Sequence, residues 1–298
     1  MPIYSIRSLS KSYPGQSRAA NDDISFDVQS GEIFGLLGDN GAGKSTLVKQ
    51  MANLLRPTAG TITLFDRPID ADPMHVPLHV GYMPQDGRAL NSLTVGEALY
   101  FTAHLRGRSR RDAQAERERL IDLWELGEIH NKPTSRLSGG QKRLLQLAVA
   151  MAGQPLVLIL DEPTNELAPQ RRRHVWESLR AENRERGTTI IFITHDALEA
   201  EKIIQRVGIL GGGRLLALGT PQALKAQIDR QLRLEIFFPP EEPPAILSHL
   251  PSVELTPGRH LLYLEREQVD GILASLNGVD DFRLYSATLE DLYLSYAG

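Results

Sequence analysis

Apolar positions along this chain fall into short blocks of two kinds. "IYSIRSL" (3–9) and "ISFDVQSG" (24–31) alternate apolar and polar residues, as a strand with one buried face does. "GEIFGLLG" (31–38), "PLVLIL" (155–160) and "TTIIFITH" (188–195) are nearly unbroken apolar runs, as strands buried on both faces are. "GTITLFDRPI" is a strand with a turn, "HVGYMPQ" (79–85) a short strand leading into a polar loop, and "RVGILGGGRLLALG" a hairpin. Between these lie helical patterns. "GKSTLVKQMANLL" is stopped by Pro57, "LTVGEALYFTAHLR" opens on a Thr94/Glu97 capping box, and "SGGQKRLLQLAVAMAG" is entered through two glycines. A charged amphipathic stretch from Arg108 to Glu128, "RRRHVWESLRAENRERG" ended by Gly187, and "DALEAEKI" complete the set. Buried strands alternating with helices predict an α/β fold with a mostly parallel core sheet.

The pattern changes near residue 230. "RLEIFF" reads as a strand, "PPEEPP" as a stiff turn and "AILSHL" as a helix. "SVEL" and "LLYLE" form a strand pair around "TPGRH", "EQVDGILASL" is a helix, "FRLYS" a last strand, and Thr288 caps a final helix, "LEDLYLSY". This order, β-α-β-β-α-β plus a helix, predicts a small α+β domain of ferredoxin-like type over 226–298, after a first domain over 1–225.

Composition narrows the class. The 298 residues are 41% hydrophobic and 23% charged, the mix of a globular protein. With 33 basic against 37 acidic residues the formal net charge is −4, which argues against nucleic acid as a partner. The absence of cysteine removes disulfides, thiolate chemistry and Cys-ligated metals, and fits a reducing compartment. "MPIYSIRSLSKSY" lacks a signal-peptide core, and no run approaches the ~20 apolar residues of a membrane helix, so a cytoplasmic location is expected. The basic run from Arg106 to Arg111 reads as a solvated helix flank.

Chemistry enters at "GDNGAGKST" (38–46), which fits G-x-x-x-x-G-K-[ST] between a strand and a helix. Gly38, Gly41 and Gly43 let the backbone wrap phosphates, with Asn40 and Thr46 in the same loop. The helix after them offers its positive end. Lys44 supplies an ammonium for the β- and γ-phosphates, and Ser45 a hydroxyl for Mg²⁺. A Gly-rich turn that binds nothing is the plain alternative, and the flanking strand and helix argue against it. "LILDEP" then brings two carboxylates to the end of a buried strand, a costly arrangement without a nearby cation. Beside a phosphate loop, Asp161 would hold the Mg²⁺ shared with Ser45, and Glu162 would orient and deprotonate the attacking water.

"LSGGQ" (137–141), with the phosphate loop and the strand ending Asp161-Glu162, resembles the nucleotide-binding subunit of an ATP-binding-cassette (ABC) transporter over about residues 1 to 220. The resemblance implies a P-loop cassette with an antiparallel N-terminal β part and a helical subdomain over about 86–150. ATP and Mg²⁺ are the implied ligands. Ser138, Gly139, Gly140 and Gln141 would bind the γ-phosphate of ATP held by a second cassette, in a homodimer or with a related subunit. Residue by residue, Tyr13 matches the aromatic that stacks on adenine, and an ordinary half-buried tyrosine reads equally well. Gln85 matches the glutamine that reaches Mg²⁺ and the attacking water, and His195 the switch histidine at a strand end. The second half of "DEPTNELAP" departs from the family's usual T-N-G-L-D-P: Glu166 stands for glycine and Ala168 for the aspartate that helps couple the two ATP sites.

The stretch ending "ATLEDLYLSYAG", with "RRRHVW" and "LALGTPQALKA", is similar to exporter ATPases of the daunorubicin-resistance type, which implies a separate transmembrane permease and attachment to the inner face of the membrane. A regulatory subunit that hydrolyses little is the competing expectation, favoured by Ala168 and opposed by Glu162, Gln85 and His195. A soluble cassette of translation or repair would carry two cassettes or a long coiled-coil insertion, and this chain has neither.

Overall fold

The computed structural model describes residues 1–85, 92–194, 201–228, 232–286, 288, 289 and 291. The chain divides into two compact units, Met1–Thr220 and Pro221–Gly298, so the division falls five residues before the one expected at 225.

In the first unit, β1 (Pro2–Lys11), β2 (Asn21–Gln29), β4 (Ala59–Leu64) and β5 (Arg67–Pro68) form an antiparallel sheet in the order β2-β1-β4-β5. The strands β3 (Ile33–Leu37), β6 (Val80–Met83), β7 (Val157–Asp161), β8 (Thr189–Ile193), β9 (Arg206–Gly211) and β10 (Arg214–Gly219) form a second sheet. Its order is β10-β9-β3-β8-β7-β6, parallel throughout except for the β9–β10 hairpin. Every residue of β3, β7 and β8 is buried, which is why these strands read as continuous apolar runs. Because the strands are parallel, the segments leaving β3, β8, β7 and β6 emerge side by side along one edge, the usual place for a ligand in such sheets.

The helices are α1 (Lys44–Met51), α2 (His75–His79), α3 (Val95–Leu105), α4 (Arg110–Leu123), α5 (Gly139–Met151) and α6 (Pro169–Arg186). The Thr94/Glu97 capping box is formed, and Gly187 ends α6 with a left-handed φ of 68°. The short α2 was not visible in the pattern. The charged stretch from Arg108 forms a helix only to Leu123, and its Trp124 is fully buried. Residues 86–91 and 195–200, where the start of the helical subdomain and most of "DALEAEKI" were expected, lie outside the described residues.

The basic run at 106–111 corrects the reading of a solvated flank. The Arg106 guanidinium donates to the carbonyls of Val149 (3.2 Å), Ala150 (2.8 Å) and Ala152. Arg108 donates to the Gly153 carbonyl at 3.0 Å. The two arginines therefore satisfy carbonyls left open at the C-terminus of α5, and burial pushes the Arg106 pKa down to about 10.

The second unit contains α7 (Pro221–Ile228), β11 (Leu232–Phe237), β12 (Ser252–Thr256), β13 (Arg259–Leu264), α8 (Val269–Leu273) and β14 (Asp281–Ser286). Its antiparallel sheet runs β12-β13-β11-β14, the order of two interleaved β-α-β halves. The expected first helix shrinks to a single 3₁₀ turn at Ala245–Ser248. The Thr288 hydroxyl accepts the Asp291 amide at 3.1 Å, as an N-cap does, and the rest of "LEDLYLSY" lies almost wholly outside the described residues.

Candidate active site

The loop after β3 is shaped by close backbone contacts. A Cβ on Gly38 would lie 2.2 Å from the Leu210 carbonyl oxygen, and Gly43 combines a φ of 97° with a Cβ position 2.1 Å from the Ala20 carbonyl oxygen. Fully buried Asn21 holds this loop: its Nδ2 donates to the Gly43 carbonyl at 3.1 Å, and Gln50 Nε2 donates to its Oδ1 at 2.7 Å. Helix α1 begins at Lys44 with no side-chain cap and no acidic residue in its own first turn, so no side chain of its own terminus takes up the N–H groups at its positive end.

Lys44 Nζ donates to the carbonyls of Gly38 (2.5 Å) and Asp39 (2.8 Å). Burial pulls its pKa below the usual lysine value, against the opposing pull of Glu162, Asp161 and Asp39. Strand β7 delivers Asp161, which is 2% exposed and hydrogen-bonded to the Ser45 side chain. Burial raises the Asp161 pKa, and neighbouring Glu162 adds to the rise, while Ser45, Arg143 and Lys44 oppose it. Glu162 is also buried and has a left-handed φ of 53°; its amide donates to the Ile193 carbonyl at 2.9 Å, tying it to the end of β8.

These groups line a cavity of about 430 Å³. Among the described residues it gathers Asn40, Gly41, Gly43, Lys44, Ser45, Thr46, Gln85, Asp161 and Glu162 from the sequence-derived set, with Ala20 and Ile193 beside them. Gly38 contributes through its carbonyl on Lys44. Tyr13 does not line the cavity, and the Lys11 ammonium sits 5.5 Å from its ring centroid. Ser138, Gly139, Gly140 and Gln141 are not in it either. Ser138 and Gln141 form a capping box at the start of α5, with the Ser138 amide donating to Gln141 Oε1 at 3.1 Å. His195 lies outside the described residues.

The donors suit a hard divalent cation. A carboxylate, a hydroxyl and an amide oxygen share the cavity, which also has room for phosphate oxygens. Among the described residues no group of three or more His, Cys, Asp or Glu is placed to hold a metal ion.

The sequence reading passed over Arg143, Asn21 and Tyr82. Arg143 is 6% exposed and shares a buried stripe of α5 with Leu147 and Ala150. A charge on an apolar i, i+4, i+7 stripe is the signal that could have found it. The buried Tyr82 hydroxyl meets no hydrogen-bond partner among the described residues, and burial, with the Asp161 charge, raises its pKa.

Comparison with known proteins agrees with this geometry. The family model described as ABC transporter matches residues 21–165. A Nod factor export ATP-binding protein I of Mesorhizobium japonicum is 35% identical over 97% of this chain and 85% of its own length. One from Burkholderia orbicola is 36% identical over 98% and 96%. The ATP-binding cassette sub-family A member 7 of Rattus norvegicus is 32% identical over 98% of this chain but only 14% of its own length. Among solved structures, an ATP-binding subunit of an ABC transporter matches with a TM-score of 0.69 and 28% identity, covering 76% of this chain and 92% of that one. A dimeric cassette bound to ADP and Pi shares the fold, with a TM-score of 0.68 at 22% identity over 73% and 98%.

Proposed function

Because the chain belongs to the ABC transporter family, as an ATP-binding domain that hydrolyses ATP to power transport, we propose that its cavity binds Mg-ATP and that two such cassettes drive export through a separate membrane permease. The observation that carries this reading is the convergence of Lys44, Ser45, Asp161 and Glu162 on one cavity beside the uncapped start of α1. The amides of Gly41 to Thr46 bind the phosphates, and Lys44 trades its two carbonyl partners for β- and γ-phosphate oxygens. Mg²⁺ held by Ser45, Asp161 and Gln85 would neutralise charge on the phosphates. Glu162 takes the proton of the attacking water, with Gln85 and His195 placing water and γ-phosphate.

Ser138 to Gln141 supply a second anion site at the start of α5. Their absence from the wall of the Lys44 cavity supports a role toward nucleotide held by another cassette. Among the described residues no helix is long and apolar enough to cross a membrane. The separate permease and the cytoplasmic face are proposed from the likeness to export ATP-binding proteins that this chain matches over most of their length. Both nearly full-length relatives are named for export, which sets the direction proposed here.

Glu162→Gln tests the reading. The amide keeps the shape but accepts no proton, so turnover falls by roughly 10²–10⁴-fold while ATP stays bound. An ATP-dependent dimer should accumulate on size exclusion. Near-parental hydrolysis by this variant would refute the assignment.

A further inference from the structure

Arg143 stands where three parts of the site meet. One guanidinium nitrogen donates to the Gln85 carbonyl at 3.0 Å and to Gln146 Oε1 at 3.2 Å. The other donates to the Asp161 carbonyl at 2.6 Å and to the Glu162 carbonyl. These carbonyls lie just past the ends of two parallel strands, β6 and β7, on the backbone that carries the loop glutamine, the metal-binding carboxylate and the polarising base. None of the three contacts is to a side chain of the reaction. They fix the peptide units from which those side chains spring.

The chemistry of arginine suits this place. A planar guanidinium can serve several acceptors at once without losing its charge, which an ammonium on a flexible stem cannot do as well. Glu162 needs such support, because its φ of 53° is an unfavourable conformation for a side chain with a Cβ. Arg143 is moreover part of α5, about 4.5 Å along the axis from Gly140. A shift at the exposed start of that helix reaches the Asp161-Glu162 backbone through two hydrogen bonds and the Gln85 backbone through a third.

We propose that Arg143 is a positioning residue for ATP hydrolysis, holding the Glu162 and Gln85 backbones in one frame and linking both to the helix that begins at Ser138. This rests on the reading of Glu162 as the base. It gives the chain an internal route between its own hydrolytic carboxylate and the phosphate site it offers to a second cassette, through residues other than Ala168.

The test uses the full-length chain with Arg143→Lys and Arg143→Met, measuring steady-state ATPase, equilibrium binding of a fluorescent ATP analogue, and Tm. Misplacement of a base by an ångström costs about 10²-fold in rate, so Arg143→Met should lose about that much in kcat while its affinity for the analogue stays within about twofold. Arg143→Lys, which keeps the charge and part of the bonding, should fall between the two and keep the parental Tm. If Arg143→Met fails to fold, a kcat loss of about tenfold in the lysine variant with unchanged affinity still supports the proposal. Parental kcat in both variants would overturn it, and so would a parallel fall of kcat, affinity and Tm, which marks packing alone. Normal turnover in Glu162→Gln would remove the base itself and this proposal with it; loss of turnover there beside normal Arg143 variants removes only this proposal.

Discussion

Helices α1 and α5 are both entered through glycine-containing turns, and both N-termini were read from sequence as phosphate sites, yet they are built differently. At α1 no side chain caps the helix, its first turn holds no acid, and Lys44, Asp161 and Glu162 converge on the cavity it borders. At α5 the exposed Ser138 and half-buried Gln141 cap each other, and Glu166 Oε2 lies 2.8 Å from where a Cβ on Gly139 would be. The first site has its cation, hydroxyl and carboxylates from one chain. The second satisfies part of its helix end internally and has a carboxylate close by, so phosphate arriving from outside must compete with groups already there. An open helix end inside a cavity tolerates missing caps because a ligand supplies the anion, whereas one on the surface is stable alone only if the chain caps it.

The largest expected effect falls on the first helix start. Lys44→Ala removes a charge-assisted partner of the phosphates, and hydrogen bonds to charged groups contribute about 1.5–3 kcal/mol, so ATP affinity should drop by roughly 10–10²-fold. Equilibrium titration measures it, and unchanged affinity would remove Lys44 from the site.

Ser138→Ala sharpens the contrast. Losing the cap should cost about 0.5–2 kcal/mol of stability, seen as a lower Tm, without changing ATP affinity of the isolated chain. ATPase activity should fall and the ATP-dependent dimer of the Glu162→Gln background should weaken. If affinity of the isolated chain fell instead, the two helix starts would belong to one site.

The loop between Glu162 and α6 comes next. Ala168 is the N-cap residue of α6, with extended backbone, Pro169 after it and no side-chain cap. Ala168→Asp should therefore add about 0.5–2 kcal/mol through capping alone. Glu166 has a φ of 63°, so Glu166→Gly relieves a conformation that costs about 1–2 kcal/mol in other residues and also removes the carboxylate beside Gly139. Higher Tm in both, with raised ATPase only in Glu166→Gly, would show that the carboxylate and not the missing aspartate restrains turnover.

The smallest effect is a pH dependence. The Asp161 pKa is raised in the fold, so its contribution to stability is present below the unfolded value of about 3.9 and is lost as pH rises through the folded value. At about pH 8, with no nucleotide or Mg²⁺, Asp161→Asn should have a higher Tm than the parent, because the amide removes the cost of a buried charge. The gain should shrink as pH falls through the folded pKa and Asp161 takes up its proton. A gain that grew in acid would contradict the raised pKa.

Much of this was legible in the chain alone. Continuous apolar runs gave β3, β7 and β8 because burial on both faces removes alternation, and "GDNGAGKST" and "DEP" lie directly after two of those strands, so local order was enough to place Lys44, Ser45, Asp161 and Glu162. The capping box at Thr94 is a contact within one helical turn, and the sequence determined it for the same reason. Only the tertiary structure decided what Arg106 and Arg143 do. Both bond carbonyls far along the chain, at Val149 and Ala150 for one and at Gln85, Asp161 and Glu162 for the other. An arginine in sequence carries its charge and its donors, but its acceptors are set by which strand ends and helix ends the packed sheet brings beside it.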